Sequence, residues 1–127
     1  MLTKIIYPAL SYKIIGLCFQ THNELEHFCK EKQYADRLEQ LLRLNKINYK
    51  REIKIPFQFN SNKIESNIAD FLVEDKIILE CKAKKFIIRE DYHQVQRYRR
   101  AIKIKLGIIV NFGTKYLTPK RIINYDL

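Results

Sequence analysis

Two short apolar runs carry charges at positions where buried strands ordinarily carry none. Ile68-Ala69-Asp70-Phe71-Leu72-Val73 and Ile77-Ile78-Leu79-Glu80-Cys81-Lys82 are rich in β-branched and large aliphatic residues. Such runs, bounded by the polar Glu74-Asp75-Lys76, read as the two strands of a hairpin. Asp70, Glu80 and Lys82 sit inside them. Charges in apolar surroundings must be paired or must hold a metal ion.

Strand parity restricts the arrangement. Side chains alternate along a strand, so Glu80 and Lys82 share one face. A three-residue connection, Glu74 to Lys76, would pair Val73 with Ile77 and set Asp70 across from Glu80. A two-residue turn would pair Asp70 with Leu79 and send Glu80 to the other face. The sequence therefore predicts an odd-length turn or a bulge. Two converging carboxylates suit hard cations such as Mg²⁺ or Mn²⁺, and a nearby lysine can orient a water or contact a phosphate. An ion pair of Lys82 with Glu80 or Asp70 on a strand face accounts for the same three residues, and the spacing alone does not decide between the two.

The rest of the chain supplies the layers for such a hairpin. Ile14, Ile15, Cys18 and Phe19 recur at helical spacing within a helix of about 11–22. Tyr34, Leu38, Leu41 and Leu42 form the apolar stripe of a second helix, about 28–44, with Glu31 near its start on the same face. A strand at 49–57, a turn at 60–62, the hairpin strands at 67–73 and 76–83, a helix at 90–103, and strands at 106–111 and 121–125 follow. The order ααβββαββ implies an α/β fold with one central mixed sheet flanked by helices. The 127 residues suffice for one domain spanning 1–127.

The net charge of +10 is concentrated. Between Cys81 and Arg121 twelve lysines and arginines face two acids, Glu90 and Asp91. A patch of this kind favours phosphate contacts and a nucleic-acid partner, although a lysine-rich surface also serves solubility. Lys84 and Lys85 follow the motif, and Arg97, Arg99 and Arg100 crowd the third helix. Tyr92, Val95, Tyr98 and Ile102 of that helix recur at core spacing. Cys18, Cys29 and Cys81 fit no zinc pattern and read as reduced thiols of a cytoplasmic protein. No apolar run is long enough to cross a membrane, and the N-terminal stretch lacks a signal-peptide pattern.

Several blocks in order carry a resemblance beyond the motif alone: Asn23-Glu24-Leu25, Glu31-Lys32-Gln33-Tyr34, Ile68 through Asp75, Ile78 through Ala83, Gln94 with Tyr98, Leu106-Gly107, Asn111-Phe112-Gly113 and Lys120 through Asn124. Together they resemble the GxxExxY group of the PD-(D/E)XK nuclease superfamily, whose fold is a restriction-endonuclease-like core. The resemblance implies Mg²⁺-dependent, or Mn²⁺-dependent, hydrolysis of phosphodiester bonds in nucleic acid, DNA foremost. Glu31 matches the first-helix acid that assists metal binding. Asp70 and Glu80 match the metal ligands, with the Cys81 backbone carbonyl as a further one. Lys82 matches the catalytic lysine and Gln94 the polar residue of the following helix. Phe28 stands where the group has its naming glycine, Glu26 replaces an upstream glycine, and Ala69 replaces the proline before Asp70. By analogy the domain works as a homodimer or beside a partner subunit. A catalytically silent nucleic-acid-binding module, or a basic protein-interaction domain of the same fold, is the alternative function.

Overall fold

The computed structural model describes residues 5–56 and 67–123. The turn expected at 60–62, and the outer ends of the strands expected at 49–57 and 121–125, lie outside the described residues. Helix α1 spans Pro8–Leu25 and helix α2 Glu31–Leu44. Strands β1 (Tyr49–Lys54), β2 (Ile68–Val73) and β3 (Ile77–Lys82) follow, then α3 (Arg89–Ala101), β4 (Leu106–Asn111) and β5 (Lys120–Ile123). The order ααβββαββ is the one the sequence implies.

The helix limits have local causes. Pro8 occupies the first turn of α1, where its missing N–H costs nothing. α1 ends at Glu26, which adopts φ 60°, ψ −151°, a conformation that favours glycine. That is the position where the resembling group carries an upstream glycine, so the backbone need persists although the residue has changed. α2 starts at Glu31 rather than near Phe28, because Lys30 caps it: the Gln33 carboxamide accepts the Lys30 amide at 2.8 Å.

The five strands lie in sequential order, β1-β2-β3-β4-β5. All neighbours are antiparallel except β3 and β4, which run parallel through the α3 crossover. α1 and α2 cover one face, where Ile14, Cys18, Tyr34 and Leu38 pack on Phe71, Leu79 and Ile108. α3 covers the other, where Tyr98 packs with Leu72 and Ile78, and Val95 with Ile109 and Ile122. Gly107 permits the close seat of α3, since a Cβ there would stand 2.5 Å from the Val95 methyl. β4 is buried throughout, as expected of a strand covered on both faces.

The β2–β3 connection is the three-residue one that parity required. Glu74 and Asp75 both take positive φ, 53° and 54°. They fold the Val73 carbonyl back onto the Lys76 amide at 2.9 Å, leaving Lys76 as the extra residue. Val73 then pairs with Ile77, Leu72 with Ile78 and Phe71 with Leu79. One more step of this register brings Asp70 opposite Glu80.

Candidate functional site

The antiparallel ladder stops at that step, and side chains replace it. The Asp70 amide donates to Glu80 Oε1 at 2.7 Å, and the Cys81 amide donates to Asp70 Oδ2 at 2.8 Å. The two carboxylates thus lie between the parting strands, each fixed by one oxygen to the neighbouring backbone. A distortion in β1 accompanies the break. Glu52, between the Arg51–Phe71 and Ile53–Ala69 pairs, has φ 59°. On one side of this point Tyr49, Phe71 and Val73 pack toward α1 and α2; on the other Ile53 and Ala69 pack with the α3-side cluster. Both strands therefore rotate about Glu52 and Asp70.

Glu80 is only 3% exposed. Burial, and next the charge of Asp70, push its carboxyl up to about 8, while the Asp70 amide and Lys82 oppose this. Asp70 is also raised, by burial first, against the pull of the Cys81 amide and the Lys82 charge. The buried Glu80 and half-buried Asp70 share Lys82 as compensation, with Arg51 adding to it at Asp70; both carboxyls stay raised, and a divalent cation would offset the deficit. The donors are hard oxygens, the set Mg²⁺ and Mn²⁺ prefer. Among the described residues no group of three His, Cys, Asp or Glu side chains stands at metal-binding spacing. Glu31, the first residue of α2, is an exposed residue whose carboxyl is raised by partial desolvation and then by the charge of Asp70. It acts on the pair at a distance rather than within it.

Lys82 shares the α3 face with Glu80. Its ammonium lies 3.4 Å from Gln94 Oε1 and 4.0 Å from Asp91 Oδ1. Gln94 also bonds the hydroxyl of Tyr98. Burial, and then the charge of Glu80, raise that buried phenol to about 12. The helix face Gln94–Tyr98 thereby lines the carboxylates. Asp91 was legible in sequence only as one of two acids in a basic stretch. It holds the Lys84 ammonium at 2.9 Å and the Ile88 amide at 2.8 Å. Burial opposes its ionisation, but these hydrogen bonds outweigh burial and keep its carboxyl below the usual range. Its place in the first turn of the helix after the motif was the available signal. Asn111 ties the end of the motif: its amide accepts the Lys84 and Gly113 amides and donates to the Lys84 carbonyl.

Tyr34 fixes the approach to Glu31. Its hydroxyl accepts the Cys29 amide at 3.1 Å and donates to the Glu26 carbonyl at 2.7 Å, and its ring stacks on Phe112 at 4.6 Å. A tyrosine one turn after Glu31 thus locks the loop between α1 and α2.

The basic residues divide. Lys85 and Arg100 are exposed and make no ion pair among the described residues. Arg97 is exposed but paired with Glu90 at 2.9 Å, and Lys84 is half-exposed and held by Asp91. Arg99 does not fit a role in phosphate contact. It is 0% exposed, with Nε donating to Gln96 and Nη1 to the Ile104 carbonyl. It turns inward because it lies on the Val95–Tyr98 side of α3, and its Nη2 has no hydrogen-bond partner.

A three-layer α/β/α sheet whose second and third strands bring two carboxylates and a lysine together defines a restriction-endonuclease-like fold. The model of the PD-(D/E)XK nuclease superfamily matches residues 8–122, and the chain belongs to that superfamily. Its nucleases are generally dependent on divalent metal. The solved structure of SSO0001 is similar in fold, with TM-score 0.55 and 17% identity over 87% of this chain and 65% of that one. The present chain thus spans less than two thirds of that protein. A comparison with curated proteins returns no match. No helix among the described residues is long and apolar enough to cross a membrane.

Proposed function

We propose that the chain is a metal-dependent nuclease of the GxxExxY type, a single domain over 1–127 that hydrolyses phosphodiester bonds of nucleic acid, DNA foremost. The observation that carries this reading is the interlock of Asp70 and Glu80 between parting strands, with Lys82 on the Glu80 face. A buried and a half-buried carboxyl held above their usual range are costly to a fold, and superfamily membership accounts for their retention.

In this reading Asp70, Glu80 and the Cys81 carbonyl hold Mg²⁺, or Mn²⁺, and Glu31 adds negative charge from the α2 terminus. A cation held there would supply charge compensation at the scissile phosphate and would lower the pKa of a water beside it. Lys82 orients that water and is itself held in place by Gln94 and Asp91. The Asp70 and Cys81 amides keep each carboxylate in its rotamer, so the donors are positioned before a cation arrives. Lys85 and Arg100 contact the phosphate backbone, with Arg97 available once Glu90 releases it, while Lys84 stays held by Asp91 beside the site. A second copy or a partner subunit completes the grip on the substrate.

The test incubates purified protein with single-stranded, double-stranded and branched DNA and with RNA. Each is tried in Mg²⁺, Mn²⁺ or EDTA, beside Glu80→Ala and Lys82→Ala. Cleavage that requires metal and disappears in both variants is the expected result. Binding without cleavage under every metal would reduce the chain to a nucleic-acid-binding module of the same fold.

A further inference from the structure

We propose that the cleft between the β3–α3 and β4–β5 loops is a stacking subsite for an unpaired nucleobase, so that the substrate carries a single-stranded segment beside the cleaved bond. This inference rests on the nuclease reading and names its substrate class.

The loop Lys84 to Ile88 packs Ile87 on the Val95–Ile109–Ile122 cluster and leaves Phe86 and Ile88 outward. Phe86 is 73% exposed and Ile88 53%, next to Lys85 and Arg89. The exposure is not that of a loose segment. Asn111 clamps both polar groups of the Lys84 backbone, and Asp91 clamps the Ile88 amide. A Cβ at Gly113 would stand 2.5 Å from the Lys84 nitrogen, so the two loops touch through backbone. Phe86 and Ile88 thus form an exposed apolar pair on a loop whose backbone is clamped at both ends, a surface that a ligand can cover.

The cleft beneath it measures about 210 Å³ and is lined by Phe86, Tyr92, Ile109, Asn111, Thr118 and Lys120. That lies below the roughly 300–1,000 Å³ of sites for drug-sized ligands, and suits one ring system. Its position is fixed by the sheet. Ile109 and Asn111 are the parallel partners of Glu80 and Lys82 and share their face. The cleft floor at Ile109 therefore lies one strand, about 4.8 Å in backbone spacing, from Glu80 and two strands from Asp70.

The lining selects the occupant. Phe86 and Tyr92 line the cleft and supply aromatic surface on which a base can stack. Lys85 and Lys120 form no ion pair among the described residues and can take the flanking phosphates. Asn111, the natural reader of a base edge, is already spent on the Lys84 and Gly113 backbone. The cleft thus stacks a base without reading it, the mode of sequence-tolerant single-strand binding. A continuous duplex presents phosphates to the lysines but no base face to Phe86.

The experiment uses the full chain in EDTA and a short oligodeoxynucleotide containing one 2-aminopurine, either single-stranded or annealed to its complement. Fluorescence of the base reports stacking and anisotropy reports affinity. Phe86→Ala should weaken single-strand binding about tenfold, with loss of the 2-aminopurine quench, and leave duplex binding unchanged. Phe86→Tyr should keep the wild-type behaviour. Because Phe86 is exposed, both variants should unfold at the wild-type temperature, and the comparison is made on proteins that do. Equal single-strand affinity in wild type and Phe86→Ala, or equal losses on both substrates, overturns the subsite. Cleavage in Mn²⁺ is scored separately. Stacking without cleavage leaves the subsite and removes the nuclease; cleavage indifferent to Phe86 and to strandedness leaves the nuclease and removes the subsite. Binding of neither substrate in EDTA overturns the subsite, and absence of cleavage of every substrate in Mn²⁺ overturns the nuclease.

Discussion

Replacing Glu80 with glutamine should change how the metal-free protein responds to pH. In the fold this carboxyl sits at about 8, against 4.5 for the ordinary group, because it is buried beside Asp70. The folded chain therefore keeps a proton that the unfolded chain releases as pH rises. The associated stability is fully present below about 4.5 and is lost as pH climbs toward 8. At about 1.36 kcal/mol per pH unit, the loss between pH 4 and pH 7 is roughly 3 kcal/mol. That is a large share of the roughly 5–15 kcal/mol that holds a domain together. Glutamine stays neutral throughout and can still accept the Asp70 amide at its carboxamide oxygen. Urea unfolding of both proteins in EDTA at several pH values measures the difference. Glu80→Gln should gain about 3 kcal/mol on the wild type between pH 4 and pH 7, and millimolar Mg²⁺ should narrow the gap by stabilising the wild type alone. Parallel pH profiles for the two proteins would refute the claim that Glu80 is the strained carboxyl.

Further outcomes concern the frame of the site. Glu26→Gly should raise stability by about 1 kcal/mol in urea unfolding, because it removes a side chain from a backbone conformation that favours glycine. Gly107→Ala should cost about 1–3 kcal/mol by pressing on Val95, and Val95→Ala in the same chain should recover part of that loss. Arg99→Met should leave the salt dependence of nucleic-acid binding unchanged, whereas Arg100→Ala should make it shallower; binding isotherms at several salt concentrations separate the two.

Much of this arrangement could be read from the chain. The apolar runs placed β2, β3 and β4 almost to the residue, because strands buried on both faces leave a continuous signal. Parity required the odd turn at Glu74–Lys76 if Asp70 and Glu80 were to share a face, and the observed register is that one. Other features had no local signature. The rotation of β1 and β2 depends on a positive φ at Glu52, a residue type that does not announce one. Arg99 looked like its neighbours Arg97 and Arg100, and only the packing of α3 decides which of the three turns inward. Glu31 appeared to lie on the apolar stripe of a helix begun near Phe28. With the helix starting at Glu31 itself, the carboxylate belongs to a helix terminus instead. The partnership of Lys84 with Asp91 crosses a loop whose course the sequence does not specify.

The proposed chemistry needs a cation held by Asp70 and Glu80. Titration of the protein with Mn²⁺, followed by electron paramagnetic resonance of the free ion, tests it without a substrate. The wild type should bind Mn²⁺ saturably and release it to Mg²⁺, with binding abolished in Asp70→Asn and in Glu80→Gln and retained in Lys82→Met. Binding that survives loss of both carboxylates, or no binding by the wild type, would contradict it.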